Sequence, residues 1–198
     1  TKLLAVLPTG SGKSICFLAP LIFIKGVVLC IYPLLSLMAD QERRMKAMNI
    51  PAATLKGGMD RNEKEKIIEA LIKGKYKVLI TNIETLLSLI KHPRYAPLWK
   101  MISTIVIDEV HTTVTWGDTF RPSYKELPEV IKKINPRHIL AFTATLDETM
   151  YATIQDRVFL GEKPYIVKAS SDRNNIFYHS VHTLKMEDDL LRLLRNKA

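Results

Sequence analysis

The chain has 198 residues, and its 29 lysines and arginines against 20 aspartates and glutamates leave a formal net charge of +9. That length supports one good-sized core, or one domain with a tail, and the basic balance favours a polyanionic partner. No membrane span, cleavable leader, or disulfide or zinc framework is visible in the sequence. The apolar run Leu18–Ile24 is broken by Pro20 and followed by Lys25, and Pro8–Lys13 stands where a cleavage site would be. The two cysteines, Cys16 and Cys30, sit in apolar runs that predict buried free thiols in a reducing compartment. The chain starts at a buried-looking strand without Met, which predicts a fragment.

Apolar runs at Leu3–Leu7, Val27–Ile31, Ala52–Leu55, Val78–Thr81, Thr104–Ile107 and Ile139–Thr143 read as strands. Amphipathic stretches at Leu34–Met48, Arg61–Ile72, Ile83–Ile90 and Tyr124–Ile134 read as helices between them. Continuous Val/Ile/Leu strands separated by helices predict a parallel sheet covered on both faces, a three-layer α/β/α architecture. Ligands of such sheets bind at the carboxyl ends of the strands.

The first such end carries Pro8-Thr9-Gly10-Ser11-Gly12-Lys13-Ser14 between a strand and the helix-like Ile15–Leu18. Strand, glycine loop and Gly-Lys-Ser form the P-loop layout, although Leu7 stands where the usual pattern has its first glycine. Glycines free the backbone to bend, and the exposed N–H groups face an anion. Thr9, Gly10, Ser11, Gly12, Lys13 and Ser14 are therefore the expected ATP-binding residues, with Lys13 a charge for the outer phosphates and the Ser14 hydroxyl placed for Mg2+. Pro33 opens the next helical stretch, and Ser36 and Gln41 near its start are candidate phosphate contacts. Lys56-Gly57-Gly58 is a flexible basic loop, and Thr81 or Asn82 caps the helix that follows. Asp108 and Glu109 end a buried strand, where paired carboxylates are costly without a positive neighbour. With a P-loop in the same sheet, Asp108 is expected to hold the metal and Glu109 to orient or deprotonate the attacking water. His111 adjoins them, and Thr143 and Thr145 close another strand.

Together these motifs resemble the superfamily-two helicases, specifically the RecQ family, over nearly the whole chain. Pro8–Ser14 is similar to motif I, Pro33–Met38 with Asp40-Gln41 to motif Ia, Asp108-Glu109-Val110-His111 to motif II and Thr143-Ala144-Thr145 to motif III. Trp116-Gly117-Asp118-Thr119-Phe120-Arg121-Pro122-Ser123-Tyr124 resembles the aromatic-rich loop that senses single-stranded DNA in that family. Its chemistry suits the role, since Trp116 and Phe120 offer faces for base stacking and Arg121 a phosphate contact or a link to the nucleotide site. Four positions depart from the family: Thr115 replaces a Gln, Asp118 a His, Thr119 an Asp, and Ile83-Glu84 a Pro-Glu. An acid at Asp118 could weaken or retune the coupling.

The resemblance implies a RecA-like P-loop NTPase domain over residues 1–170, with residues 171–198 holding a linker and the start of a second RecA-like domain. Phe177–Val181 would be that domain's first strand and Met186–Asn196 an amphipathic helix. It implies catalysis by Lys13, Asp108, Glu109 and His111, Mg2+ on Ser14 and Asp108, and DNA contact or coupling through Pro33, Ser36, Gln41, Asn82, Trp116, Phe120, Arg121, Thr143 and Thr145. The implied activity is ATP-driven 3′-to-5′ translocation on single-stranded DNA and duplex unwinding, in the nucleus of a eukaryote or the cytoplasm of a bacterium. The alternatives are an RNA helicase, or a nucleic-acid-binding module with a weakly active nucleotide site. Without the arginine finger of the second domain, the chain alone is expected to hydrolyse ATP poorly, because such a finger contributes about 10³–10⁵ in rate in related phosphoryl transfers.

Overall fold

The computed structural model describes residues 1–115, 121–169, 176, 182 and 185–195, apart from the side chains of residues 21, 22 and 193. Seven strands form one sheet: β1 (Lys2–Val6), β2 (Val27–Ile31), β3 (Ala52–Thr54), β4 (Val78–Thr81), β5 (Ile102–Ile107), β6 (His138–Thr143) and β7 (Tyr165–Lys168). Their order is β3-β4-β2-β5-β6-β1-β7, and every neighbouring pair is parallel. All the carboxyl ends therefore lie along one edge.

Alternation along the central strand β2 divides the core into two layers. Val27, Leu29 and Ile31 belong to one buried cluster, and Val28, Cys30 and Tyr32 to the other. The second layer includes Phe17 and Leu18 of α1 (Lys13–Leu18) and Met38 and Met45 of α2 (Leu35–Ala47). The first takes residues of α3 (Arg61–Ile72), α4 (Ile83–Ile90), α5 (Ala96–Met101), α7 (Leu127–Ile134) and α8 (Glu148–Phe159). The short α6 (Thr112–Thr115) follows β5, and α9 (Met186–Arg195) occupies the stretch read as a C-terminal helix. The three-layer α/β/α reading holds. Among the described residues no helix is long and apolar enough to cross a membrane.

Several expectations are corrected. Cys16 is exposed rather than buried, because it lies on the outer side of the six-residue α1; Cys30 is buried as expected. The helix read over Tyr124–Ile134 is a 3-10 turn, Pro122–Glu126, followed by α7. Helices α5 and α8 were not legible as periodic stretches, and neither was β7, whose four residues are all exposed and lack the burial pattern of a central strand. Pro33 precedes the helix rather than opening it: Leu34 is the cap residue and α2 starts at Leu35. Phe177–Val181 lies outside the described residues.

Gly26 governs the entry to β2. Its φ is +96°, and a Cβ there would stand 2.7 Å from the Met101 carbonyl oxygen and 3.1 Å from Ser103 Cβ. Gly26→Ala is therefore expected to cost about 2 kcal/mol or more, read as a lower urea midpoint with an unchanged slope. An unshifted midpoint would refute this.

Candidate active site

The strand order builds the site. Strand β6 lies between β1 and β5, with Val6 beside Thr143 and Ile107 beside Ala141. Thr143 thus stands between the glycine loop after β1 and the carboxylates after β5. On the other side of β5, β2 brings Pro33 to the same edge, and β4 brings Asn82.

The loop over Pro8–Ser14 closes with the Ser11 N–H donating to the Pro8 carbonyl at 3.2 Å. Gly10 and Gly12 have φ of +84° and +81°, the left-handed region that a side chain resists. Gly12 caps α1 in that conformation with no side chain on the helix's first N–H groups; the Ile15 N–H donates to the Gly12 carbonyl at 2.9 Å, and the donors ahead of it suit an outside acceptor. Thr9, Gly10, Ser11 and Gly12 are exposed, while Lys13 and Ser14 are half-buried.

Lys13 Nζ reaches across the end of β6 to Glu109 Oε1, 3.3 Å away. Glu109 has φ +48°, a left-handed conformation uncommon for a residue with a side chain. Such strain, of order 1–3 kcal/mol, collects at functional positions. Asp108 is 9% exposed, and its Oδ1 accepts the Glu109 N–H at 3.0 Å. Burial, reinforced by the neighbouring Glu109 charge, raises the Asp108 carboxyl above its ordinary value; the Glu109 N–H and Lys13 oppose this without cancelling it.

His111 completes the cluster. Its Nδ1 lies 3.1 Å from Thr143 Oγ1 and 3.3 Å from Glu109 Oε2. Thr143 Oγ1 donates its one proton to the Thr145 carbonyl at 2.9 Å and so can only accept from the histidine. Nδ1 therefore carries a proton in either charge state and donates toward Thr143 and Glu109. Lys13 and His111 hold the two oxygens of one carboxylate, while Thr143 fixes the ring.

These donors suit a magnesium nucleotide. Two carboxylates face one ammonium, and the more buried carboxyl resists ionisation. No group of three His, Cys, Asp or Glu among the described residues makes a closed metal cage. That pattern fits a hard cation held by a carboxylate, a hydroxyl and the ligand's own phosphates.

The remaining expected residues lie farther along the edge. Pro33 is buried and its carbonyl accepts a hydrogen bond from Arg121 Nη1; the same nitrogen stands 3.8 Å from Glu84 Oε1. Ser36 is exposed in the first turn of α2, whereas Gln41 is 7% exposed, with a buried side-chain oxygen that no group among the described residues satisfies. Asn82 Oδ1 caps α4 by accepting the Thr85 N–H at 3.1 Å. Thr145 is exposed. Trp116 and Phe120 lie outside the described residues. Sequence reasoning named Glu84 only as a departure from the family and gave it no site role; the structure places it 3.8 Å from Arg121.

A profile of the DEAD/DEAH box helicases matches residues 1–153. The chain belongs to the DEAD/DEAH box helicase family. Among relatives of this helicase domain, the ATP-dependent DNA helicase RecQ of Synechocystis sp. is 37% identical over 155 residues, 73% of this chain and 31% of that protein. The probable ATP-dependent DNA helicase RecS of Bacillus subtilis is 35% identical over 201 residues, 98% of this chain and 39% of that protein. The chain thus spans well under half the length of these relatives. Solved structures share the fold: the DUF1998 helicase MrfA gives a TM-score of 0.70 at 22% identity, covering 99% of this chain and 32% of that one. The Pyrococcus furiosus Hef helicase domain gives 0.64 at 19% identity, covering 88% and 36%.

Proposed function

We propose that this chain is the first RecA-like motor domain of a RecQ-type DNA helicase, over residues 1–170, with residues 171–198 leading into a second such domain. It would couple ATP hydrolysis to 3′-to-5′ movement on single-stranded DNA and to duplex unwinding inside the cell. The observation that carries the reading is the Lys13–Glu109–His111–Thr143 cluster beside buried Asp108. The RecQ and RecS relatives favour DNA over RNA.

In this reading Thr9–Ser14 bind the phosphates through backbone N–H groups, and Lys13 exchanges Glu109 for the outer phosphates. Freed of Lys13 but still held by His111, Glu109 takes the proton of the attacking water. Ser14 and Asp108 would hold Mg2+, which supplies charge neutralisation at the phosphates. Exposed Ser36 and Thr145, with Asn82, Pro33 and Arg121, lie along the edge where nucleic acid would run; Trp116, Phe120, Gln41 and Thr143 belong to the same proposed coupling set.

The test is ATP hydrolysis by the full-length protein with no nucleic acid, with single-stranded DNA and with single-stranded RNA. Stimulation by DNA alone is expected. Equal or greater stimulation by RNA would replace this reading with an RNA helicase. A saturating magnesium nucleotide at a hundred times its Kd should also stabilise the fold by about 2.7 kcal/mol, and an unmoved Tm would point to a binding module without a working nucleotide site.

A further inference from the structure

The carboxyl edge has a second end, far from the nucleotide loop. It belongs to β3, the outermost strand on that side, and to β4 beside it. After β3 the chain passes through buried Leu55 into Lys56-Gly57-Gly58, where the Lys56 N–H donates to Met59 Sδ at 3.3 Å. Arg61 then opens α3. After β4, α4 leads to His92 and to a 3-10 turn over Pro93–Tyr95. The two segments meet around two cavities that share three residues. One, of about 420 Å³, is lined by Arg61, His92, Pro93 and Arg94. The other, of about 170 Å³, shares Arg61, His92 and Arg94 and has Met59, Lys64 and Ser88 among its walls.

No aspartate or glutamate among the described residues lines either cavity. By contrast, the cavity between α4 and α7 carries Glu126 and Glu129 beside its lysines. The two arginines share one carboxylate. Glu65 Oε1 lies 3.1 Å from Arg61 Nε and 3.2 Å from Arg94 Nη1, and a single carboxylate cannot neutralise two guanidiniums and the Lys64 ammonium. The Arg94 guanidinium also lies 4.6 Å from the ring centre of buried Tyr95, and His92 meets that ring edge-on with centroids 6.1 Å apart. Carboxylate and ring thus fix the planar forks. Arg61 keeps both terminal nitrogens, and Arg94 its Nε and Nη2, for another acceptor. A brace does not explain the arrangement, since the Arg61 and Arg94 side chains are 72% and 43% exposed, and ion pairs so exposed contribute little to stability.

Preorganised forks of this kind suit the oxygens of a phosphate. Their place on the sheet identifies its source. Neighbouring strands are about 4.8 Å apart, so β3 lies about 14 Å from β5 and the catalytic carboxylates, and farther still from the glycine loop. A bound nucleotide's phosphates do not reach that far, whereas a polymer laid along the edge past Pro33, Asn82 and Lys56 brings a phosphate there.

We propose that Arg61, His92 and Arg94 form a phosphate-binding pocket at the β3 end of the carboxyl edge, separate from the nucleotide site, which takes a backbone phosphodiester of the nucleic acid running along that edge. This rests on the reading of the chain as a nucleic-acid motor. The contact is blind to sequence, because a guanidinium on a phosphate reads no base edge.

The test uses the full-length protein carrying Arg61→Gln or Arg94→Gln, with Lys73→Gln at the other end of α3 as the control for losing one charge elsewhere. Each pocket variant should bind single-stranded DNA about fivefold or more weakly, equally for a homopolymer and a mixed sequence. Each should lower the slope of log K against log salt by about 0.7, the share of one phosphate of a single strand. The double variant should lose no more slope than either single one, because both guanidiniums hold one phosphate. Basal kcat, the KM for ATP and Tm should stay at wild-type values, and Lys73→Gln should keep the wild-type slope. An unchanged slope in both pocket variants, or the same loss in Lys73→Gln, would overturn the pocket.

Inorganic phosphate separates the two sources of the anion. Calorimetric binding of phosphate that is lost in Arg94→Gln, with the DNA slope unchanged, would make this a free-phosphate site and overturn the strand assignment. Absence of DNA-stimulated ATP hydrolysis in the wild type would refute the motor reading and not the pocket, whose slope is read from binding alone.

Discussion

Glu109→Gln is expected to lower ATP turnover by about 10²–10⁴-fold, the usual contribution of a positioned general base, while nucleotide binding is kept or tightened. The ion pair with Lys13 at 3.3 Å explains the split. In the ligand-free protein Lys13 is engaged with the carboxylate, and phosphates must break that pair to recruit it. A neutral amide releases Lys13 in advance but cannot take a proton from water. His111 retains Thr143 as a partner, so the ring stays in place. Single-turnover hydrolysis together with equilibrium titration of a fluorescent ATP analogue separates the two effects. Turnover within tenfold of wild type would remove Glu109 from the role of base.

Asp108→Asn should abolish most activity and yet stabilise the ligand-free protein at neutral pH. In the proposed role the carboxylate would hold Mg2+, and its loss would then lower kcat by about 10²–10³, as for comparable electrostatic groups. The stability change has the opposite sign. Burial, and then Glu109, raise the Asp108 pKa above its reference of 3.8, so the folded state holds that proton to higher pH than the unfolded chain does. Wild-type stability therefore falls as pH rises from the ordinary aspartate range through the raised value, and each pH unit between the two costs about 1.4 kcal/mol. Asparagine has no proton to lose and escapes that cost. The variant's advantage in Tm should be full at neutral pH and shrink in mildly acidic buffer. A variant less stable than wild type at neutral pH, or an advantage indifferent to pH, would contradict this account.

Local chemistry made much of this molecule legible in the sequence. The glycine loop, the two carboxylates ending a buried strand and the continuous apolar strands are short-range features, because each states its requirement within a few residues. Val27–Ile31, Val78–Thr81, Arg61–Ile72 and Ile83–Ile90 coincide with their predicted spans for that reason. Elements whose stability comes from elsewhere were hidden. Strand β7 exists because β1 offers it a ladder from Leu3 to Val6, and its own exposed residues carry no pattern. The exposure of Cys16 depends on which side of a six-residue helix meets the sheet, and one turn and a half is too short to show a face.

The sequence by itself determined which groups the chemistry has available: Lys13 and Ser14 after one strand, Asp108 and Glu109 after another, and Thr143 after a third, all bound for one edge once the sheet is parallel. Only the tertiary structure decided which of them meet. Strand order is set by crossovers that no local residue encodes, and it inserts β6 between β1 and β5, so that Thr143 orients His111 while Lys13 spans to Glu109. It also sets β2 and β4 beyond β5, which brings Pro33 and Glu84 to Arg121. Partners separated by tens of residues are chosen by packing of the two core layers, and that choice is a property of the whole chain.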